Sequence, residues 1–441
     1  MKPELNEFEV TPQIVRAGQE ATITIRPLHQ HVYFNLDQLA DYRVWMFPAG
    51  GLAGQTISTA ALELQPKWVA NGLQGEHILT VRYRFEREQE YVLFLENVSG
   101  KPRARSFEFR LYALEADLFA RKPYKGDLHM HSSRSDGRES PAYVAASCRK
   151  IGMDFMALTD HRQYEPSLEA IGAFAGLPVD LRMYPGEEVH PPDNPVHMIN
   201  FGASFSINAL FRNEEARYRA EVQALAEQLV DFPDGVDRYT YASCEWCFRQ
   251  IRAGGGLGIF CHPYWLSRHR YDIPEDLTTL LLERQPWDAL EIIGGYHLFE
   301  VESNWLQVAR YHEERSKGKR IPVVGVSDAH GCERGELFGW YYSIVFAPTT
   351  DLPDLVQSIH DLHSVAVEAL PGQDARAHGP FRLTLYSQFL LREILPLHDR
   401  LCLEEGRLML AHAAGDALAA TQLSGLQGRT AALYARLWQS G

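Results

Sequence analysis

The sequence predicts an α/β protein: a parallel, barrel-like sheet preceded by a small antiparallel β-sandwich and followed by a helical tail. Three observations predict this. Residues 1–120 alternate apolar and polar side chains between turn signals, without helical segments between the runs. From residue 121 short apolar runs alternate with helical stretches, the rhythm of βα units. Most of the histidines and acids that could do chemistry sit at the ends of those runs, where barrels of this type build active sites.

In the first domain (residues 1–120), Ala21–Ile25, Ile78–Phe85 and Ser106–Tyr112 alternate as half-buried strands do, and Tyr91–Leu95 is a further apolar strand. Ala17-Gly18, Pro48–Gly51, Asn71-Gly72 and Ser99-Gly100 are turn signals between them. This pattern suggests a sandwich. It carries no ligand cluster and reads as a structural or oligomerising module.

The second domain (residues 121–375) opens on Tyr124–Gly137, YKGDLHMHSSRSDG. Asp127-Leu128-His129-Met130-His131 alternates, so His129 and His131 share one face, close enough for one metal ion. Gly137 lets the chain turn, and a helix starts near Ser140-Pro141. Further apolar runs follow. Phe155–Leu158 leads into Thr159-Asp160-His161, and Met183–Val189 carries Glu187 and Glu188 ahead of His197. Leu257–Cys261 ends in His262, Ala289–Ile293 in Gly294-Gly295-Tyr296, and Ile321–Val326 in Ser327-Asp328-Ala329-His330. Glu187 and Glu188 point opposite ways if they end a strand, so one binds and the other faces away. Asn208–Leu229 reads as an inserted helix and Asp231–Tyr241 as a polar loop; both are placed to overhang the site. Residues 376–441 read as two or three helices of packing or dimer surface.

Composition bounds the function. Of 441 residues 45% are hydrophobic, enough for large cores, and the net charge of −14 with no Lys/Arg run argues against a duplex-binding protein. A short oligonucleotide entering a pocket filled with cationic metal stays compatible with that charge. The start, MKPELNEFEV, has no apolar leader region, and no apolar run reaches the ~18 residues of a membrane span, so a soluble, cytoplasmic protein without membrane partners is expected. The six cysteines read as free thiols. Cys244 and Cys247 have the spacing of a redox or zinc pair but lack a second pair, and read as half-buried thiols.

The candidate ligands are His129, His131, Asp136, His161, Glu188, His197, His262, Asp328 and His330. Imidazole with carboxylate suits zinc, manganese or iron rather than calcium or magnesium. Nine ligands exceed the need of one ion, so two or three divalent ions are expected. Clustered cations suit ester cleavage: they lower the pKa of a bridging water, neutralise substrate oxygens and align attack with departure.

GDLHMHSSRSDG, TDH, GEEV, VHMINFG, CHP and GVSDAHG, in this order, resemble the polymerase and histidinol phosphatase (PHP) family over about residues 122–345. The resemblance implies a distorted (β/α)7 barrel, a trinuclear metal centre and phosphoester hydrolysis through a hydroxide bridging metals. By motif, His129 and His131 would hold the first metal with Asp328. Glu188 would bridge to a second held by His197 and His262, and Asp136, His161 and His330 would hold a third. Asp136 stands where some branches of the family have histidine. A sandwich joined to such a barrel is also similar to members acting on carbamates or aryl esters. The substrate expected is therefore a small phosphoester, with non-phosphate esters as the alternative.

Around the ligands, Arg134 and Arg162 are candidates to clamp an anion. Asp160 is expected to orient a neighbouring ligand. Tyr264, Trp265, His269 and Arg270 are candidate pocket lining, and Tyr296 and His297 follow the Ile293 strand end. His297 or His330 would be the proton donor to the leaving oxygen, with Glu188 as the bridging ligand.

Overall fold

The computed structural model describes residues 4–29, 42–51, 65–71, 74–100, 105–333 and 337–440. Two compact units divide the chain. One holds Met1–Lys122, Leu385–His398 and Gly428–Gly441; the other holds Pro123–Thr384 and Asp399–Gln427. Helices late in the chain, Phe381–Glu393, Leu395–Ala413, Ala419–Ser424 and Arg429–Leu437, supply both units.

The first unit pairs two four-stranded sheets, 8–11/19–27/74–85/65–71 and 14–16/107–114/89–97/42–48. All pairings are antiparallel except that of Ile14–Arg16 with Phe107–Leu114. The alternation of the sequence is the alternation of burial: Tyr91, Leu93 and Leu95 on one strand and Phe107, Phe109 and Leu111 on its neighbour face one core with Ile23, Ile25 and Val81. The end of the chain joins this unit, with Gln13 N donating to Leu437 O and Gln439 N to Ile14 O. The sequence reading missed the strands Phe8–Thr11, Tyr42–Pro48 and Gln65–Asn71, and the Asn71-Gly72 turn extends outside the described residues.

In the second unit the strands form a six-stranded sheet (182–184, 155–157, 122–127, 341–347, 364–368, 376–378) and a five-stranded one (186–189, 198–201, 257–260, 289–294, 323–326). The wholly parallel, barrel-like sheet expected from the βα rhythm is not what forms, and no closed barrel is found among the described residues. Gly186–Val189 runs antiparallel to Met198–Phe201, because the link between them is too short for a crossover helix. Met198–Phe201 with Leu257–Phe260, and Tyr341–Ala347 with Ser364–Glu368, are antiparallel as well.

Side chains of both sheets meet in one interior cluster, each strand contributing alternate residues: Phe155 and Ala157, Ile199 and Phe201, Leu257 and Ile259, Val324 and Val326, Val345 and Ala347. The opposite faces pack on helices through a second cluster that includes Val189, Met198, Phe260, Leu290 and Val323. The inserted segment is two helices, Ile207–Asn213 and Glu215–Gln228, and the polar loop is shorter than expected because Asp237 accepts from Thr240 N and starts the helix Arg238–Ala253. Phe211, Tyr218 and Trp246 join this insertion to the outer core.

The foot of the strand Lys122–Asp127 is held by buried charge. Arg149 is fully buried and donates to Glu405 (2.8 Å), Asp154 (3.2 Å) and the Met153 carbonyl (2.9 Å), while Lys125 pairs with Asp399 at 2.9 Å. All described cysteines are free thiols; Cys244 and Cys247 are buried on one helix, and burial pushes the Cys244 thiol up to about 12. No described helix is long and apolar enough to cross a membrane.

Candidate metal centre

The interior cluster is capped at one end by histidines and acids. His129 and His131 leave the strand Lys122–Asp127 on an extended stretch paired through Met130 to Ala329, with Leu128 turned into the core. Their rings stand 5.2 Å apart. The His131 ring lies 4.2 Å from those of both His161 and His330, and the His262 ring lies 5.7 Å from that of His129 and 5.2 Å from that of His197.

Two carboxylates tie these rings together. Glu188 Oε1 lies 2.8 Å from His197 Nδ1 and 3.4 Å from His262 Nε2; its Oε2 lies 2.5 Å from His161 Nδ1 and 3.6 Å from both His129 Nε2 and His131 Nε2. Asp328 Oδ1 lies 2.9 Å from His131 Nε2 and 3.2 Å from His129 Nε2. Asp136 faces His161 Nε2 at 3.4 Å and His330 Nε2 at 3.3 Å. His330 Nδ1 donates to the Asp328 carbonyl at 2.8 Å, which orients the ring and turns Nε2 toward Asp136. Glu187 points the other way. It accepts from Ser206 Oγ, Ile207 N, Asn200 Nδ2 and Asn208 Nδ2.

The electrostatics are those of a cation site. Burial opposes ionisation of Glu188, yet the surrounding histidines hold its carboxyl well below the ordinary range. Asp328 is half-buried, and its carboxyl is likewise held low against the opposing effect of burial, by His129, His131 and His330. Burial works against charge on His129, but Asp328, Glu188 and Glu291 raise it well above an ordinary imidazole. Both ring nitrogens of His129, Nδ1 of His131 and Oε2 of Glu188 are buried without a well-formed hydrogen bond. Orphaned donor atoms of this kind are rare unless something else satisfies them, and imidazole with carboxylate is the donor set of zinc, manganese or iron. Residues of this set fall into groups whose ligand atoms lie within 4.8 Å of one another: His131, Asp136, His161 and His330; His129, His131 and Asp328; and His129 and His262 with Cys261.

Two residues, His190 and Glu291, were not singled out by the sequence reading, and Asp127, which opens the alternating stretch, was given no role there. His190 follows Glu188 by two positions and presents Nε2 at 3.5 Å from Glu188 Oε2. Strand alternation was the available signal, the same one that paired His129 with His131. Glu291 is fully buried on the strand Ala289–Gly294, both its oxygens lack a hydrogen bond, and Oε2 lies 3.7 Å from His129 Nδ1. Its signal was a single acid inside an apolar run. Asp127 accepts from the backbone of His129 and Ser327, and burial pushes its carboxyl up to about 7 despite those bonds.

The outer residues divide. Arg134 is bound through two nitrogens to Glu169, both contacts 2.8 Å, rather than standing ready for an anion. Arg162 has an exposed side chain beside His161. Asp160 accepts from the backbone and hydroxyls of Ser132 and Ser135, so it fixes the loop that leads to Asp136 instead of a ligand ring. Trp265 packs beside His197 and His262, with centroids 6.1 and 6.0 Å away. Tyr264 is buried against Tyr271, and His269 and Arg270 lie exposed around the small hairpin Leu266–Tyr271. Tyr296 is core: its hydroxyl donates to Gln307. His297 stacks on the exposed Phe299 at 5.4 Å. Arg162, His262 and Asp328 adopt left-handed backbone, at φ 59°, 28° and 51°.

No protein-family model matches the chain. The chain is 30% identical over 129 residues to the DNA polymerase/3'-5' exonuclease PolX of Bacillus subtilis (strain 168), which covers 29% of this chain and 19% of that protein, so it spans about a fifth of this relative's length. Among solved structures it is similar to a two-domain protein from Bacteroides vulgatus containing a predicted PHP-like metal-dependent phosphoesterase (16% identity, TM-score 0.37, 56% of this chain and 65% of that one). It is also similar to an amidohydrolase from Chromobacterium violaceum with bound sulfate and no metal (22% identity, TM-score 0.31, 48% of this chain and 89% of that one). With all the quoted motifs delivered to one site, the resemblance to the PHP family read from the sequence stands.

Proposed function

We propose that this protein is a metal-dependent hydrolase of the PHP type, acting on a phosphoester of a small molecule. One observation carries the reading: imidazoles and carboxylates from positions 129 to 330 converge on Glu188 and Asp328, with buried donor atoms left unsatisfied. The hydrolase domain, read from the sequence as 121–375, is extended by the strand Arg376–His378 to Thr384 and takes in Asp399–Gln427, while the rest of the tail read as helical (376–441) falls with the sandwich domain (1–120). Two or three divalent ions of zinc, manganese or iron are assigned to it. His129, His131 and Asp328 hold the first; Glu188, His197 and His262 the second, with Glu188 shared; Asp136, His161 and His330 the third. Such ions, when bound, bring a water's pKa near neutrality and neutralise the oxygens of an ester.

The chain's own residues do the rest. Glu291 faces Nδ1 of His129, which directs Nε2 toward Glu188 and Asp328. Arg162, exposed beside His161, is assigned to the substrate's anionic group. His297, two residues beyond Gly295, is assigned the proton for the leaving oxygen; a Cβ on Gly295 would lie 3.4 Å from Asp328 Oδ2, so that loop leaves directly from the site.

A second reading, an aryl ester or carbamate as substrate, is favoured by two observations: Arg134 is occupied by Glu169, and Trp265 lays an apolar ring beside His197 and His262. The test is protein reconstituted with zinc, manganese or iron and assayed on phosphomonoesters, cyclic nucleotides, short oligonucleotides and aryl esters, with and without chelator. Chelator-sensitive phosphoester turnover is the expected result. Faster turnover of aryl esters selects the second reading, and a protein that takes up no metal refutes both.

A further inference from the structure

We propose that His190 is a further ligand of the metal centre, one that the motif reading does not assign; the inference rests on the proposed metal-dependent reading. His190 Nε2 lies 2.9 Å from His161 Nδ1 and 3.5 Å from Glu188 Oε2, and His161 Nδ1 lies 2.5 Å from that same oxygen. These three atoms close a triangle. An ion holding nitrogen and oxygen donors at about 2.0–2.1 Å in tetrahedral geometry spaces them about 3.3 Å apart. The 3.5 Å between His190 Nε2 and Glu188 Oε2 matches one such edge, whereas the 2.5 Å contact of His161 Nδ1 with the same oxygen is of hydrogen-bond length and leaves His161 Nε2 facing Asp136. The same three residues form a group whose ligand atoms lie within 4.8 Å of one another.

The surroundings hold His190 in place. Asn208 Oδ1 accepts from His190 N at 3.1 Å, while Asn208 Nδ2 donates to the Glu188 carbonyl at 2.9 Å, so one buried amide fixes the backbone on both sides of Val189. Glu188 and His190 thereby present their side chains to the same face, as residues two apart on a strand do. The His190 ring also packs 3.9 Å from that of His197, on the side of the cluster where Glu188 Oε1 meets His197. A histidine that only braced His161 would need one nitrogen and no approach to the carboxylate. His190 approaches both.

The experiment compares wild type, His190→Ala and His190→Gln after reconstitution with cobalt(II) or zinc. Metal per chain is read by mass spectrometry of the element, and affinity by chelator competition and by the cobalt visible spectrum; circular dichroism checks the fold. Glutamine restores a hydrogen-bonding side chain but is a poor replacement for a ligating imidazole. The expected result is that both variants lose one equivalent of metal, or bind one ion at least about tenfold more weakly, with a changed cobalt spectrum. If His190→Ala fails to fold, His190→Gln carries the test. A glutamine variant with wild-type stoichiometry, affinity and spectrum overturns the ligand role and leaves the hydrolase reading standing. A wild-type protein that binds no metal removes both.

Discussion

Replacing Arg149 by methionine tests the frame beneath the site. The guanidinium is fully buried and is the cation held between Glu405 and Asp154. Methionine keeps much of the volume and removes the charge. Asp154 retains Lys125 N and Glu405 retains Asp180 N as backbone donors. The larger loss falls on Glu405, which meets Arg149 through both Nε and Nη2 at 2.8 Å and whose carboxyl burial already pushes upward against the pull of Arg149. Without its partner that carboxylate takes up a proton, which caps the penalty. Near pH 7, protonating a group whose unfolded pKa is ~4.3 costs about 3.7 kcal/mol, and near pH 5.5 about 1.6 kcal/mol. The sign follows from proton binding: in the variant the folded state holds the extra proton, so its stability falls as pH rises from ~4.3 through the raised folded value. The expected deficit is therefore about 3–5 kcal/mol near pH 7, in line with a broken buried pair, and about 2 kcal/mol less near pH 5.5. Urea unfolding of both proteins at the two pH values measures it. A deficit that is the same at both, or below about 1 kcal/mol near pH 7, refutes the account.

Other expectations concern the centre. Glu188→Gln keeps the shape and removes the charge that the histidines share; metal per chain should fall, and turnover should drop at least about 100-fold, in line with the loss of a group acting on both binding and chemistry, with an unchanged circular dichroism spectrum. Metal uptake should release protons, because burial-opposed but carboxylate-held histidines such as His129 and His262 must give up theirs; affinity should fall as pH falls, and calorimetry in buffers of different ionisation enthalpy reads the proton count. Chelator should lower the melting temperature of the loaded protein, by an amount that grows with free metal concentration. Trp265→Ala should lower kcat/KM for aryl substrates about tenfold more than for alkyl ones, as the loss of one aromatic contact would; equal losses would take Trp265 out of substrate recognition.

What could be read from the sequence was whatever alternation and strand ends encode. His129 and His131 share a face because a strand puts them there, and Glu187 and Glu188 separate for the same reason. The pairing of strands was not legible: whether Met198–Phe201 meets its neighbours parallel or antiparallel is decided by the partners it packs between, and the helical rhythm downstream concealed it. Arg134 resembled an anion clamp because its partner, Glu169, is 35 residues away on another element. Glu291 was hidden in an apolar run, where only burial against His129 gives an acid its meaning. His190 was legible by the alternation rule, which puts it on the same face as Glu188 two positions earlier.

Three residues of the rim, Arg162, His262 and Asp328, turn the chain with backbone angles that suit glycine far better than themselves. Each such turn stores of order 1–3 kcal/mol. At positions 262 and 328 glycine would ease the turn but would supply no ligating atom. The scaffold therefore carries a standing load at the two points where the proposed ions are gripped. A descendant freed from catalysis would gain stability by shedding these side chains first, so glycine at these two positions would be an early trace of a lost activity.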